Sequence, residues 1–365
     1  MPLRIVAYLI MIVSGVLLCP VTNCSAAATE PRNANDAAKV ALPWLAAQQE
    51  SDGGWRFRAS DALKPQPLDE RRVWTSRTGA TAVAMMPFLV CGQTRKQGHY
   101  KENVAAGLRF LISQGNHVAG NEQHREALDL RGSGDDLLWH AHAAMVLCEA
   151  FAMSADRELE KPSQAATDYL VAMQDPKTGG WARQVNGEPD LVVSAWCVLA
   201  IKSAHMAYLR VPQVAVNRVP GFLDRVQSEN GAFYGRERAG KEWSATAAAL
   251  LCRMSLGWKR DRDEIQQGIR YLMQTGPQKN DCEANYFAHD LLGYLHGENW
   301  QEWNRQIIAQ LLASQENEAA RQGTWFNAKD ASAEGGGRLF QTALNAAILA
   351  KRFGMPRPVP GVFPL

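Results

Sequence analysis

Tyr169-Leu170-Val171-Ala172-Met173-Gln174, a polar turn, and then Gly179-Gly180-Trp181 form the phrase on which the reading of this chain turns. It returns three times. Trp44-Leu45-Ala46-Ala47-Gln48-Gln49 leads to Gly53-Gly54-Trp55, and Phe222-Leu223-Asp224-Arg225-Val226-Gln227 leads to Gly231-Ala232-Phe233. Leu311-Leu312-Ala313-Ser314-Gln315 leads to Gly323-Thr324-Trp325. Two degenerate copies, ending at Gln114 and Gln274, keep the helix and its Gln but lose the Gly-aromatic part. Self-similarity at a roughly constant interval is the signature of stacked supersecondary units.

A second kind of segment follows each phrase, rich in Ala and apolar residues: roughly Gly79–Val90, Asp135–Met153, Leu191–Met206, Trp243–Leu256, Asn285–Leu295 and Arg338–Phe353. Ala and Leu favour helix, and no convincing alternating strand pattern interrupts them. Ser133, Asp190 and Ser244 precede or open such segments and suit N-caps. Helices with so little polar surface need neighbours on all sides, whereas those carrying Lys, Arg and Glu face solvent. The expectation is an all-α, α/α toroid of about six helical hairpins, with an inner ring of Ala-rich helices inside an outer ring. The repeat residues Gln49, Trp55, Gln174, Trp181, Gln227, Phe233, Gln315 and Trp325 then join successive hairpins. The Gln bonds backbone groups left free at a helix end, the Gly allows a tight turn, and the aromatic ring packs over the joint.

The phrase resembles the QW repeat of squalene-hopene and oxidosqualene cyclases. The runs Trp139-His140-Ala141-His142, Asp190-Leu191-Val192-Val193-Ser194-Ala195-Trp196 and Gly336-Gly337-Arg338-Leu339-Phe340-Gln341 resemble the prenyltransferase and squalene oxidase repeat proteins of planctomycete-type bacteria. The resemblance spans about Ala38 to Phe353 and implies a terpenoid cyclase-like toroid with a central cavity for an isoprenoid or other apolar small molecule. Fold alone does not fix activity.

Arg4, the apolar stretch Ile5–Leu18 and the small residues Ser25-Ala26-Ala27-Ala28 read as an export signal over residues 1–28. A short linker (29–37), the toroid (38–354) and a Pro-rich tail (355–365) complete the expected organisation. The protein is expected outside the cytoplasm. A lipoprotein is disfavoured because Leu18 and Asn23 precede Cys19 and Cys24, and an uncleaved anchor because the apolar run is short. No later apolar segment is read as a membrane span. A net charge of +2 without a basic cluster gives no reason to expect a nucleic-acid partner, and no protein partner is identified. Cys91, Cys148, Cys197, Cys252 and Cys282 remain, an odd number read as buried thiols.

Candidate chemistry is sparse. Triterpene cyclases protonate their substrate with an aspartic acid in a D-x-D-D motif; the nearest run here, Asp261-Arg262-Asp263-Glu264, departs at its last position and reads as a solvated helix start. Asp135 and Asp136 open an inner helix and are the better catalytic candidates, with His140 beside them. Trp139, Trp196, Trp243, Tyr286, His289, Asp290 and Gln341 are the expected cavity residues. Asp281-Cys282 with His289 or His296 lacks the spacing of a prenyltransferase zinc site, so no metal and no cofactor are expected. Two alternatives stand beside the isoprenoid reading: a non-catalytic toroid that binds a ligand or protein, and a carbohydrate-active toroid using two carboxylates across a cleft, with Asp135, Asp136, Asp190 and Asp290 as conceivable members.

Overall fold

The structure, a computed structural model, describes residues 33–58, 73–119, 126–132 and 136–350. The expected signal, Asp135 and the C-terminal tail lie outside the described residues. Among the described residues twelve α-helices alternate between two rings. The inner six are α2 (Arg77–Val90), α4 (Leu137–Ser154), α6 (Leu191–Met206), α8 (Trp243–Ser255), α10 (Cys282–Leu295) and α12 (Gly337–Ala350). The outer six are α1 (Ala34–Ala47), α3 (Lys101–Ser113), α5 (Arg157–Ala172), α7 (Gln213–Val226), α9 (Asp263–Thr275) and α11 (Gly297–Ser314). Two short antiparallel ribbons, β1 (Asn116–Ala119) with β2 (Glu126–Asp129) and β3 (Gln227–Ser228) with β4 (Phe233–Tyr234), sit in connections.

Each inner helix packs on the next, α2 on α4, α4 on α6, α6 on α8, α8 on α10 and α10 on α12, and α12 returns to α2. The ring is closed. Composition dictates which helices go inside: α4 and α6 have apolar and small residues all round and bury most of their side chains. Helices α5, α7 and α9 bury one stripe only, such as Ile265, Gly268, Ile269 and Leu272 of α9. By length and composition α4 could cross a membrane, which corrects the expectation that no segment could; 72% of it is buried inside the protein, as in the core helix of a globular fold.

The helix starts follow from their caps. Asp136, Asp190 and Asp281 accept the backbone N–H groups of Leu138, Val193 and Ala284 respectively. The cap at Asp281 starts α10 one turn earlier than the sequence pattern suggests, bringing Cys282 and Glu283 into the helix. The five cysteines among the described residues are unpaired thiols, four of them buried.

Three Gln–Gly–Trp phrases form one repeated joint. The indole N–H of Trp55, Trp181 and Trp325 donates to the carbonyl of Leu45, Leu170 and Leu311 at 2.7, 2.8 and 2.8 Å. Their backbone N–H groups donate to a hydroxyl on the following inner helix, Thr81, Ser194 and Thr342. Gln49, Gln174 and Gln315 each bridge the turn glycine's carbonyl to a carbonyl of the next outer helix, Asn103, Ala215 and Ala37. At the third joint the backbone N–H that meets a hydroxyl, Thr246, belongs to Tyr234 rather than to Phe233. Gln227 there accepts from Arg253, whose guanidinium also reaches Asp224 and the Tyr234 hydroxyl.

Candidate functional site

Because inner helices alternate with outer ones, all six inner helices point the same way, and their N-terminal ends share one rim. The connections after the Trp181 and Tyr234 joints fold over that rim. Two residues past Trp181, Arg183 accepts the Leu137 N–H on its carbonyl and donates from its side chain to Asp136 at 2.7 Å. Two residues past Tyr234, Arg236 accepts the Leu191 N–H and donates to Asp190 at 2.6 Å. Each capping aspartate thus uses one oxygen for its helix and the other for an arginine from the next unit.

Between these ion pairs lies a cleft of about 580 Å³, lined by Asp136, Arg183, Gln184, Gly187, Glu188, Asp190, Arg236 and Glu237. A second hollow of about 450 Å³ adjoins it around the 182–189 connection. Every side chain bordering the first cleft is polar or charged.

The next residue of interest is Glu283, in the first turn of α10. Trp196 of α6 donates its indole N–H to the Glu283 carboxylate at 2.8 Å. Some of the side chain remains accessible, but protein atoms crowd it closely. Burial, helped by the negative charge of Asp281, pushes its pKa up to about 7, against the smaller opposing effects of the Trp196 bond and the Arg183 and Arg236 guanidiniums. Asp281 is also shifted upward, chiefly by burial and by Asp330 beside it. Glu283 is therefore a carboxyl that holds or releases its proton near neutral pH, within electrostatic reach of both arginines that line the cleft.

Below this level the axis of the ring is filled with aromatic rings. Centroids of His142 and Trp196 are 4.0 Å apart, and Trp196 lies 5.1 Å from both Tyr286 and Phe287. On the other side Trp139 meets His142 at 5.7 Å and Trp74 at 5.0 Å, and Trp74 meets Phe340 at 5.1 Å. Trp139, His142, Trp196, Tyr286, Phe287 and Phe340 have between 0 and 4% of their surface accessible. A side chain bordering a void wide enough for a hydrocarbon chain would carry accessible surface on that side. These rings carry almost none, so along them the axis is solid.

Placement separates the predicted site residues into groups. Asp136, Trp139, Trp196 and Tyr286 gather at the rim or on the axis. His140 does not act there: its Nδ1 accepts the Leu130 N–H at 3.0 Å and its Nε2 is 3.0 Å from the Ala166 carbonyl. With both nitrogens engaged and burial driving its pKa down to about 4, His140 is a neutral fastener between the β2 connection, α4 and α5. Trp243 turns outward and stacks on Trp303 of α11 at 6.0 Å. His289 likewise packs toward α11, 5.0 Å from the Trp300 ring. Asp290 acts electrostatically on Tyr286, whose hydroxyl pKa is raised chiefly by burial. Gln341 clamps the backbone of Asn327 through both its oxygen and its nitrogen. Cys282 faces Asp330 and Ser332, with its thiol pKa raised well above the ordinary value by burial.

Sequence reasoning missed Glu283, Arg183 and Arg236. Both arginines had a readable signal, since Arg183 stands two residues beyond Trp181 and Arg236 three beyond Phe233. Glu283 had none, because its role depends on Trp196, 87 positions earlier.

Several solved structures share this architecture. A type II terpene cyclase from Scytonema is 15% identical over 87% of this chain and 97% of its own, with a TM-score of 0.58. An α-1,6-mannanase from Salegentibacter sp. is 8% identical over 88% and 100%, with a TM-score of 0.61. A cellobiose 2-epimerase from Spirochaeta thermophila is 13% identical over 86% and 93%, with a TM-score of 0.58. At such identities the likeness establishes the α/α toroid fold and nothing finer. Neither a sequence family nor a curated protein matches the chain.

Proposed function

We propose that the rim of the toroid binds a polar, hydroxyl-rich ligand of the carbohydrate class and that Glu283 serves it as a proton donor. The observation that carries this reading is the Glu283 carboxyl, bonded to Trp196 and within electrostatic reach of the arginines of the two Asp–Arg pairs of a polar cleft, where burial pushes its pKa up to about 7. A general acid works best when its pKa lies near the working pH, so that it is protonated when the ligand arrives and still gives the proton up. The proton passes from the Glu283 carboxyl to a ligand oxygen, such as a glycosidic or carbonyl oxygen. Arg183 and Arg236 supply directed N–H groups to ligand hydroxyls, and Asp136 and Asp190 fix those guanidiniums in place. The mannanase and the epimerase among the structural neighbours, named for sugar substrates, support the class of ligand. Export through the leader read over residues 1–28 belongs to the same proposal, since it brings the protein to oligosaccharides outside the cytoplasm.

The isoprenoid reading has one specific observation in its favour. Glu283 is bonded to the N–H edge of Trp196, and Tyr286 and Phe287 pack against that ring, which sets an acid beside an aromatic cluster. One solved form of the terpene cyclase holds geranylgeranyl dihydroxybenzoate. That reading requires the aromatic axis to open, whereas the polar cleft is already open.

Calorimetric titration of the intact protein with cellobiose, α-1,6-mannotriose, squalene and geranylgeraniol tests the choice. The proposal expects heat from an oligosaccharide and a loss of that heat in Asp190→Asn. Uptake of squalene or geranylgeraniol with no response to either sugar overturns it.

A further inference from the structure

His142 holds a polar atom that the fold leaves idle. Its Nδ1 lies 2.8 Å from the Leu138 carbonyl, so this nitrogen carries the proton and Nε2 presents a bare lone pair. Among the described residues Nε2 has no hydrogen-bond partner, and the side chain has no accessible surface. With no accessible surface there is no void of water size against the ring. A buried acceptor left without a donor costs about 1–3 kcal/mol, and such groups in folded proteins call for a reason.

The reason lies in what covers it. The Trp196 ring packs against His142 with centroids 4.0 Å apart and planes tilted by 36°, and the Trp196 N–H is held by Glu283 rather than by a helix carbonyl. The joint indoles, in Trp55, Trp181 and Trp325, are each bonded to a main-chain oxygen inside the wall. Trp196 alone of these four hangs from a side chain at the rim.

We propose that Trp196 is a movable cover and that His142 Nε2 beneath it accepts a hydrogen bond from a ligand hydroxyl once the indole has left Glu283. The same motion frees the Glu283 carboxyl, so ligand entry and release of the acid are one event. This rests on the reading of the rim as a site for hydroxyl-rich ligands and adds to it a second contact, deeper than the cleft. His142 is a binding residue here and moves no proton. Neutral imidazole suits that task, because a charged ring has no acceptor to offer.

Two measurements on the full protein test it. The first is hydrogen exchange of the indole N–H groups by NMR without any ligand. The Trp196 N–H is expected to exchange on the order of 100-fold faster than those of Trp55, Trp181 and Trp325, because only a local motion exposes it. Equal protection of all four overturns the cover. The second is His142→Phe, which keeps a flat ring and removes the idle acceptor together with the Nδ1–H donor to the Leu138 carbonyl. Its melting midpoint is expected to rise by about 2 °C or more, while any oligosaccharide that binds the wild-type protein binds the variant at least about tenfold more weakly. A lowered midpoint means the imidazole is part of the scaffold, and unchanged affinity means it does not meet the ligand; either overturns the assignment of His142. If no oligosaccharide binds the wild-type protein, the reading of the rim fails, and the cover is then judged on exchange alone.

Discussion

The Gln315 side chain donates from Nε2 to the carbonyl of Ala37 at 2.8 Å, joining positions 278 residues apart. It is the bond by which the last repeat treats the first helix as its successor, because Gln49 and Gln174 make the same bond to the next outer helix along the chain. Gly323, at φ +82°, lies so close to α1 that a Cβ there would stand 2.4 Å from the Val40 carbonyl oxygen. Closure is thus written into the same Gln and Gly that make the joints at Trp55 and Trp181. Gly323→Ala is expected to lose about 2–4 kcal/mol of stability and Gln315→Ala about 2–3 kcal/mol. Urea unfolding checks this, with Lys39→Ala on the exposed face of α1 as a control that shifts stability by less than about 0.5 kcal/mol.

A charge change at the rim should leave the fold intact. In the Asp136–Arg183 pair the side chains are 21% and 40% exposed, respectively, so solvent screens it and its contribution to stability is below about 1 kcal/mol. Asn retains the capping oxygen that accepts the Leu138 N–H. Asp136→Asn is therefore expected to melt close to the wild-type temperature while losing oligosaccharide binding. A variant that unfolds, or one that binds normally, contradicts the place given to Asp136.

His140 predicts the opposite pattern, a loss of stability with no direct effect on the site. Replacing it by Phe strands the Leu130 N–H and removes the contact to the Ala166 carbonyl, both buried. The expected loss is about 2–4 kcal/mol, read by chemical denaturation. Burial lowers its folded pKa from 6.5 to about 4, and does the same for His142. The unfolded chain therefore binds more protons than the folded one in that window. These two rings contribute stability above pH 6.5 that is lost as pH falls toward 4. Double replacement should flatten that part of the acid unfolding curve.

Glu283 acts with the reverse sign. Its folded pKa of about 7 lies above the ordinary 4.5, so the folded protein binds more protons between those values. Its contribution is full below pH 4.5 and is lost as pH rises to 7. Glu283→Gln should match wild-type stability near pH 4 and exceed it above pH 7, by at most about 3 kcal/mol. Comparing the two proteins across pH removes the histidine effect common to both. A variant less stable than wild type at pH 8 contradicts a strained, buried carboxylate.

Much of the ring was legible because its joints are local. Gln174, Gly179 and Trp181 lie within one turn of chain, and the bonds they make require those residue types at that spacing. The exception is instructive: Phe233 matches the spacing, yet Tyr234 takes the place of the indole because Arg253 fills the joint and seeks its hydroxyl. The site was less legible because it is assembled between units. Trp139, Trp196 and Tyr286 could be placed on inner helices, but not their mutual contact, which leaves no room along the axis. Trp243 and His289 also lie on inner helices and were expected inside; only the rotation of α8 and α10 about their axes turns them toward α11. His140 and His142 are two residues apart, and nothing in the sequence says that one is fully bonded and the other half idle.

The function proposed for the rim depends above all on the protonation of one carboxyl. Carbon-13 NMR of the intact protein, following the Glu283 side-chain carboxyl from pH 3 to pH 9, reads it without any ligand. The prediction is a midpoint of about 7, moving higher in Trp196→Phe because the indole bond holds the carboxylate form. A midpoint near the ordinary 4.5, indifferent to Trp196, would leave the rim without its proton donor and contradict the proposed function.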